Sequence, residues 1–301
     1  MYSGKKNKNK PLLALVDHFA RDLADCFHRP IKVDRDGTER SFFLCTLGMK
    51  GDWPALTKIG QLRRHHLRDT WSTNTGVGIC HRCLGGQEGH SWHDVSYENM
   101  LAMRRDVPVP WTSTPGIISN LPVSSKHVAD FFKIDLFHTF HKGVFADAAA
   151  NAIVTFYDFD LLKLKSLDQY MHVLYEDARA FCAGKNYELH MCKLTTQQLG
   201  LTRSTDYPAG SWFKGADTTV LCKFMQHKLE SIIPELSHDE NYSFNVAYLS
   251  QIVQLLGFAN TFMHVCYNSG LWLTVRQRDL MVKNLVNFLK TWAILAQSAF
   301  N

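Results

Sequence analysis

Between Gly78 and Asp94 the chain reads GICHRCLGGQEGHSWHD, which puts four zinc-ligating side chains in one short stretch: Cys80, Cys83, His90 and His93. A C-x-x-C turn presents two thiolates to one ion, and zinc takes four sulfur or nitrogen donors in a tetrahedron. The intervening LGGQEG is flexible enough to bring the histidine pair back toward the cysteines. Classical fingers space the two pairs by about 12 residues and carry their histidines on a helix. This shorter spacing therefore predicts a structural zinc knuckle rather than a free-standing finger. The competing reading is two buried thiols beside surface histidines.

The rest of the sequence is ordinary for a folded protein. Its 301 residues are 46% hydrophobic and 20% charged, enough for one large domain or two small ones. The other six of its eight cysteines sit mostly in apolar runs such as FLCTL and VLCKF, the pattern of buried free thiols in a reducing compartment. The opening MYSGKKNKNK is polar and basic, unlike a secretory signal. The apolar stretch VAYLSQIVQLLGFANTFMHVCY is interrupted by Ser250, Gln251, Gln254, Asn260 and His264, and the last one carries Lys290. A bilayer span needs about 20 uninterrupted apolar residues, so the expectation is a soluble intracellular protein with no membrane partner. A net charge of +5 permits contact with nucleic acid without requiring it. The basic clusters are Lys5–Lys10 and RRHHLR, with Arg63, Arg64 and Arg68 as candidate phosphate contacts; a solvated face is the bland alternative.

Hydrophobic periodicity orders the chain. Residues 1–11 read as a disordered basic tail. Leu12, Val16, Phe19, Leu23 and Phe27 recur at spacings of three and four, an amphipathic helix. IKV, the turn RDGT and then SFFLCTLGM predict a strand pair whose second member is a buried strand ending at Gly48–Gly51, with Asp52 directly after it. A helix follows from Trp53 to His66, then the Cys/His insertion at about 70–95 and a loop-rich stretch over 96–125. FFKIDLFHTF leads from an extended segment into a helix, and further helices are expected at 143–157, 167–184, 218–233, 244–267 and 274–299.

Three other constellations bear on chemistry. Asp52 stands at the end of an apolar strand, where α/β proteins place catalytic groups, or caps the following helix. Asp135 and His138, with His141 nearby, share a helical face at i, i+3 and either hold a metal or form a structural pair. The dipeptides His93-Asp94 and His238-Asp239 lie in polar, loop-like stretches, which argues against a helical phosphohydrolase.

In order and spacing these pieces resemble the central part of a CACTA-type DNA transposase over residues 12–160. The resemblance rests on the long helix and strand–turn–strand, the Gly51-Asp52-Trp53-Pro54-Ala55-Leu56 motif, Cys80 and Cys83, and Asp135-Leu136-Phe137-His138 leading into Gly143. It implies a partial ribonuclease H-like core of α+β or α/β class carrying the zinc knuckle as an insertion, followed by a mainly helical region over 161–301. In that family pattern three carboxylates hold two divalent metals, usually magnesium. Asp52 looks like the second acid, and Asp135 with His138 like the accessory pair. The third acid is a late glutamate, for which Glu230 is taken ahead of Glu235, Glu240, Glu176 and Glu188. The first acid has no strand to sit on before Leu12. The expectation is a nuclear or otherwise intracellular DNA-binding protein that does not cut DNA, with structural zinc, with magnesium only if catalytic, and with homo-oligomerisation open. The alternatives are a zinc-stabilised helical interaction protein and a strand-transfer enzyme completed by another chain.

Overall fold

The computed structural model describes residues 9–66, 78–203, 207–238 and 243–300. It is mostly helical with one small sheet, and it divides into two units, Met1–Asp135 and Leu136–Asn301. The helix expected at 143–157 lies within the second of these units.

The first unit opens with α1 (Lys10–His28), with Pro11 in its first turn, where the missing N–H costs nothing, and Pro30 just beyond its end. The predicted amphipathic helix is present, but the buried stripe is not the large apolar one. Ala20 is its buried residue, packed with half-buried Ala24 against Ile117, Ile118 and Leu121 on and beside α4 (Gly116–Asn120), while Leu15, Phe19 and Leu23 are exposed. The approach is close because Gly116 has no side chain: a Cβ there would lie 1.8 Å from the Asp17 carboxylate.

The hairpin follows as β1 (Ile31–Arg35) and β2 (Thr38–Phe42), antiparallel, with Ile31 opposite Phe42 and Arg35 opposite Thr38. Asp36 and Gly37 both have positive φ, the two-residue turn that matches strand twist, and Asp34 accepts a hydrogen bond from the Gly37 amide at 3.0 Å. The expected buried strand SFFLCTLGM is not formed. β2 ends at Phe42, and Phe43, Leu44 and Leu47 are exposed at 61%, 45% and 63%. Among the described residues the sheet has two strands, so the ribonuclease H-like core is not seen as a sheet. An apolar run becomes a buried strand only when neighbours pair with it along its length, and here, beyond Ser41 and Phe42 in the hairpin, strand pairing is one parallel bridge between Met49 and Phe132. Gly48 sets that contact: its φ is +152°, and a Cβ would lie 2.7 Å from the Phe131 carbonyl oxygen. The helix predicted over Trp53–His66 is α2 (Trp53–Ile59), which stops at Gly60, where the Phe132 ring packs against the backbone. The short α3 (Tyr97–Ala102) is capped by Ser96. The unit's core gathers Leu56, Leu62, Trp111, Ile118, Leu121, Phe131 and Phe132.

Among its described residues the second unit holds helices and connecting loops and no strand. A π-helical segment, Phe137–Val144, breaks at Gly143 and continues into α5 (Phe145–Asp158). Then come α6 (Leu167–Lys185), α7 (Ala216–Leu236), α8 (Ser243–Asn268) and α9 (Val275–Phe300), each within three residues of its expected bounds. The alanines of α5 are buried and let it sit among α6, α7 and α8. α8 packs between α7 and α9. Its stretch Asn245–Asn268 is long and apolar enough by composition to cross a membrane. Leu249, Leu256, Ala259 and Met263 are nonetheless fully buried against protein, and a core helix passes the same test.

Candidate functional site

The Cys80–Cys83 loop is built as a thiolate beside a thiol. The Cys83 thiol donates to Cys80, the Arg82 amide donates to Cys80 Sγ at 3.3 Å, and the Gly85 amide is directed at Cys83. The Cys83 hydrogen bond outweighs burial and, with the amides and the Arg82 charge, holds Cys80 down to about 6. Cys83, which carries the shared proton and is buried, is pushed up. Beneath the loop lies Arg64, 5% exposed, donating to the carbonyls of Cys80, His81 and Pro108. Burial lowers its pKa, and the two cysteines oppose that shift. This corrects the reading of Arg64 as a phosphate contact: its guanidinium is consumed inside the fold. His81 is anchored as well, with Nε2 2.9 Å from the Phe132 carbonyl.

The histidine pair does not join the cysteines. LGGQEGH closes on itself through the Gln87 amide to Leu84, the Gly86 amide to His90 and the His90 amide to Gln87, at 2.9, 3.0 and 3.0 Å. His90 Nδ1 is buried without a hydrogen-bond partner among the described residues, and His93 is exposed beside the Ser91 hydroxyl. No three His, Cys, Asp or Glu side chains among the described residues gather as a metal-binding group. Two cysteine sulfurs with amide donors suit half of a zinc site, but the closed four-donor set of a structural zinc is not assembled among the described residues. Asp94 accepts from the Ser96 amide at 2.8 Å and so shapes a turn, while Asp239 lies outside the described residues.

Asp52 caps α2: its Oδ1 accepts the Ala55 amide at 2.7 Å. Asp135 stands directly before helical backbone, which begins at Leu136, and His138 lies in the first turn that follows. The register around Met49 and Phe132 nevertheless relates the two aspartates. The Met49 amide donates to Phe131 and the Lys133 amide to Met49, so the two segments run parallel there. Asp52 and Asp135 each follow three residues downstream. His138 and Glu230 belong to the second unit; His138 is exposed, and Glu230 accepts from Gln226 at 2.9 Å on the surface of α7. His141, by contrast, is buried, with Nε2 2.7 Å from the Tyr267 hydroxyl and its carbonyl accepting from Thr218.

Beside the cysteine loop the first unit has a polar cleft of about 450 Å³, lined among others by Arg82, Arg104, Lys126, His127 and Asp130. Arg82 donates to Asp130 at 2.6 Å. Burial works against the Asp130 charge, but Arg82, Arg104 and His127 together hold its carboxyl below the usual range. Asp106 also lines the cleft, which thus carries Arg82, Arg104 and Lys126 against the two carboxylates Asp106 and Asp130. These residues were not singled out from the sequence. Their signals, RR at 104–105 and KH at 126–127, are short, and only folding brings them to the Cys80–Cys83 loop. Arg63 remains exposed with Nη1 3.2 Å from Thr112, and Arg68 lies outside the described residues. Comparison with protein-family models, curated proteins and solved structures returned no match.

Proposed function

We propose that the chain is a transposase-derived DNA-binding protein that holds DNA without cutting it. The observation that carries the reading is the parallel register at Met49 and Phe132, which sets Asp52 and Asp135 at equivalent places beyond two paired segments. That is how two side chains inherited from a phosphate-cleaving centre would be related. Cutting by two metals needs several carboxylates converging on the ions. Here Asp52 is committed to a helix cap. DNA contact is supported by the cleft of Arg82, Arg104 and Lys126 and by the chain's net charge of +5.

The test is an anisotropy titration of labelled duplex against the whole chain at rising salt. Binding that weakens steeply with salt is expected, and absence of binding at low salt would overturn the reading. Magnesium-dependent nicking that disappears in Asp52→Ala would replace it with an active enzyme completed by another chain. A second reading, an interaction protein with no nucleic-acid role, is favoured by Leu271, Trp272 and Leu273, exposed between α8 and α9, and by Val275, exposed at the start of α9. It predicts partners whose capture survives nuclease treatment and fails with Trp272→Ala.

A further inference from the structure

We propose that two copies of this chain join through β1, edge to edge, around a two-fold axis at Val33. A two-stranded hairpin is marginal by itself and leaves unpaired backbone groups on both outer edges. Here neither edge of the β1–β2 sheet has a further strand among the described residues. All ten strand residues are exposed, among them Ile31 at 39%, Val33 at 45% and Phe42 at 49%.

Backbone parity selects the register. In a hairpin closed by a two-residue turn, the residues flanking the turn form a hydrogen-bonded pair, and such pairs alternate along the strands. Arg35, Val33 and Ile31 therefore exchange bonds with β2, and the N–H and C=O groups of Lys32 and Asp34 point to the open edge. An antiparallel second β1 centred on Val33 meets those groups with its own: Lys32 of each copy bonds Asp34 of the other, and the two Val33 form the close, non-hydrogen-bonded pair.

The side chains agree with the backbone. The same register opposes Lys32 to Asp34 twice, an opposite-charge cross-strand pair on one face, and opposes Val33 to Val33 on the other. Asp34 spends Oδ1 on Gly37, and Lys32 makes only the exposed 2.9 Å contact with Glu39. Residue i contacts j and j contacts i, as an isologous interface requires. The β2 edge fails the same test. There Glu39 and Ser41 point outward, and pairing two copies through them sets Arg40 against Arg40.

The experiment is sedimentation equilibrium of the full chain in reducing buffer, from nanomolar to tens of micromolar, on the native protein and on Val33→Glu. Within one chain the introduced carboxylate faces Arg40, which favours the hairpin; across the two-fold axis it faces its own copy. A concentration-dependent dimer, weakened roughly tenfold or more by Val33→Glu with unchanged circular dichroism, is expected. A native chain that stays monomeric, or a dimer indifferent to Val33→Glu, overturns the proposal. Should that variant fail to fold, Val33→Cys decides: Cα atoms about 4.5 Å apart are within disulfide reach. Mild oxidation must then give a link between the two copies at position 33 by peptide mapping, and its absence also overturns the proposal.

Discussion

Asp52 and Cys80 illustrate how far single residues speak from sequence. Both were visible as motif positions, and in both the fold assigns the side chain a partner that the motif leaves open. Asp52 spends an oxygen on the Ala55 amide, so Asp52→Ala should cost about 1 kcal/mol through loss of the cap, whereas Asp52→Asn should be nearly neutral. Urea midpoints of the two variants check this, since a purely electrostatic role would make them alike. For Cys80 the linkage has a definite sign. An acid whose folded pKa is depressed stabilises the fold above its unfolded value and loses that contribution as pH falls through the folded one. Its window runs from the ordinary thiol value of 9.0 down to about 6. Cys83, shifted upward, works against stability only above the ordinary value. The melting temperature of metal-free protein should therefore rise between pH 6 and 8, and Cys80→Ser should flatten that rise; calorimetry in a reducing, chelating buffer measures both.

At the scale of elements, the helices of the second unit were legible because their information is local. Apolar positions recur every three or four residues, and Ser166 and Asn186 mark the ends of α6 as a cap and a left-handed residue. The hairpin was legible for the same reason, through Asp36-Gly37. SFFLCTLGM misled because a parallel strand depends on a partner distant in sequence, and here the partner, Phe132, offers one bridge. That bridge rests on Gly48, whose positive φ and 2.7 Å clearance from the Phe131 oxygen leave no room for a methyl group. Gly48→Ala should destabilise the protein by about 1–3 kcal/mol, read as a lower urea midpoint. Arg64 belongs to this scale as well, since it ties the cysteine loop to the Pro108 carbonyl. Removing it in Arg64→Ala leaves the buried His81 carbonyl and the part-buried Cys80 and Pro108 carbonyls without this donor, at a cost of about 1–3 kcal/mol. Arg64→Lys should recover little of that, because an ammonium lacks the planar fork.

For the whole molecule, charge distribution decides what the surface can hold. If DNA lies along the cleft, Arg104→Ala and Lys126→Ala should each weaken binding for every duplex sequence and lower the salt slope by about 1. Anisotropy titrations at several salt concentrations read both quantities, and an unchanged slope would move the contact elsewhere. By itself the sequence determined what short-range physics controls: helix periodicity, the Asp-Gly turn, the adjacency of Cys80 and Cys83, and the net charge. Tertiary structure alone decided that Ala20 rather than Phe19 is α1's buried contact, that Arg64 is buried, that His90 and His93 stay apart from the cysteines, and that Arg82, Arg104 and Lys126 share a cleft. Each of those outcomes depends on which distant segments pack together. That choice minimises exposed apolar surface and unpaired polar groups over the whole chain, and no local window of residues contains it.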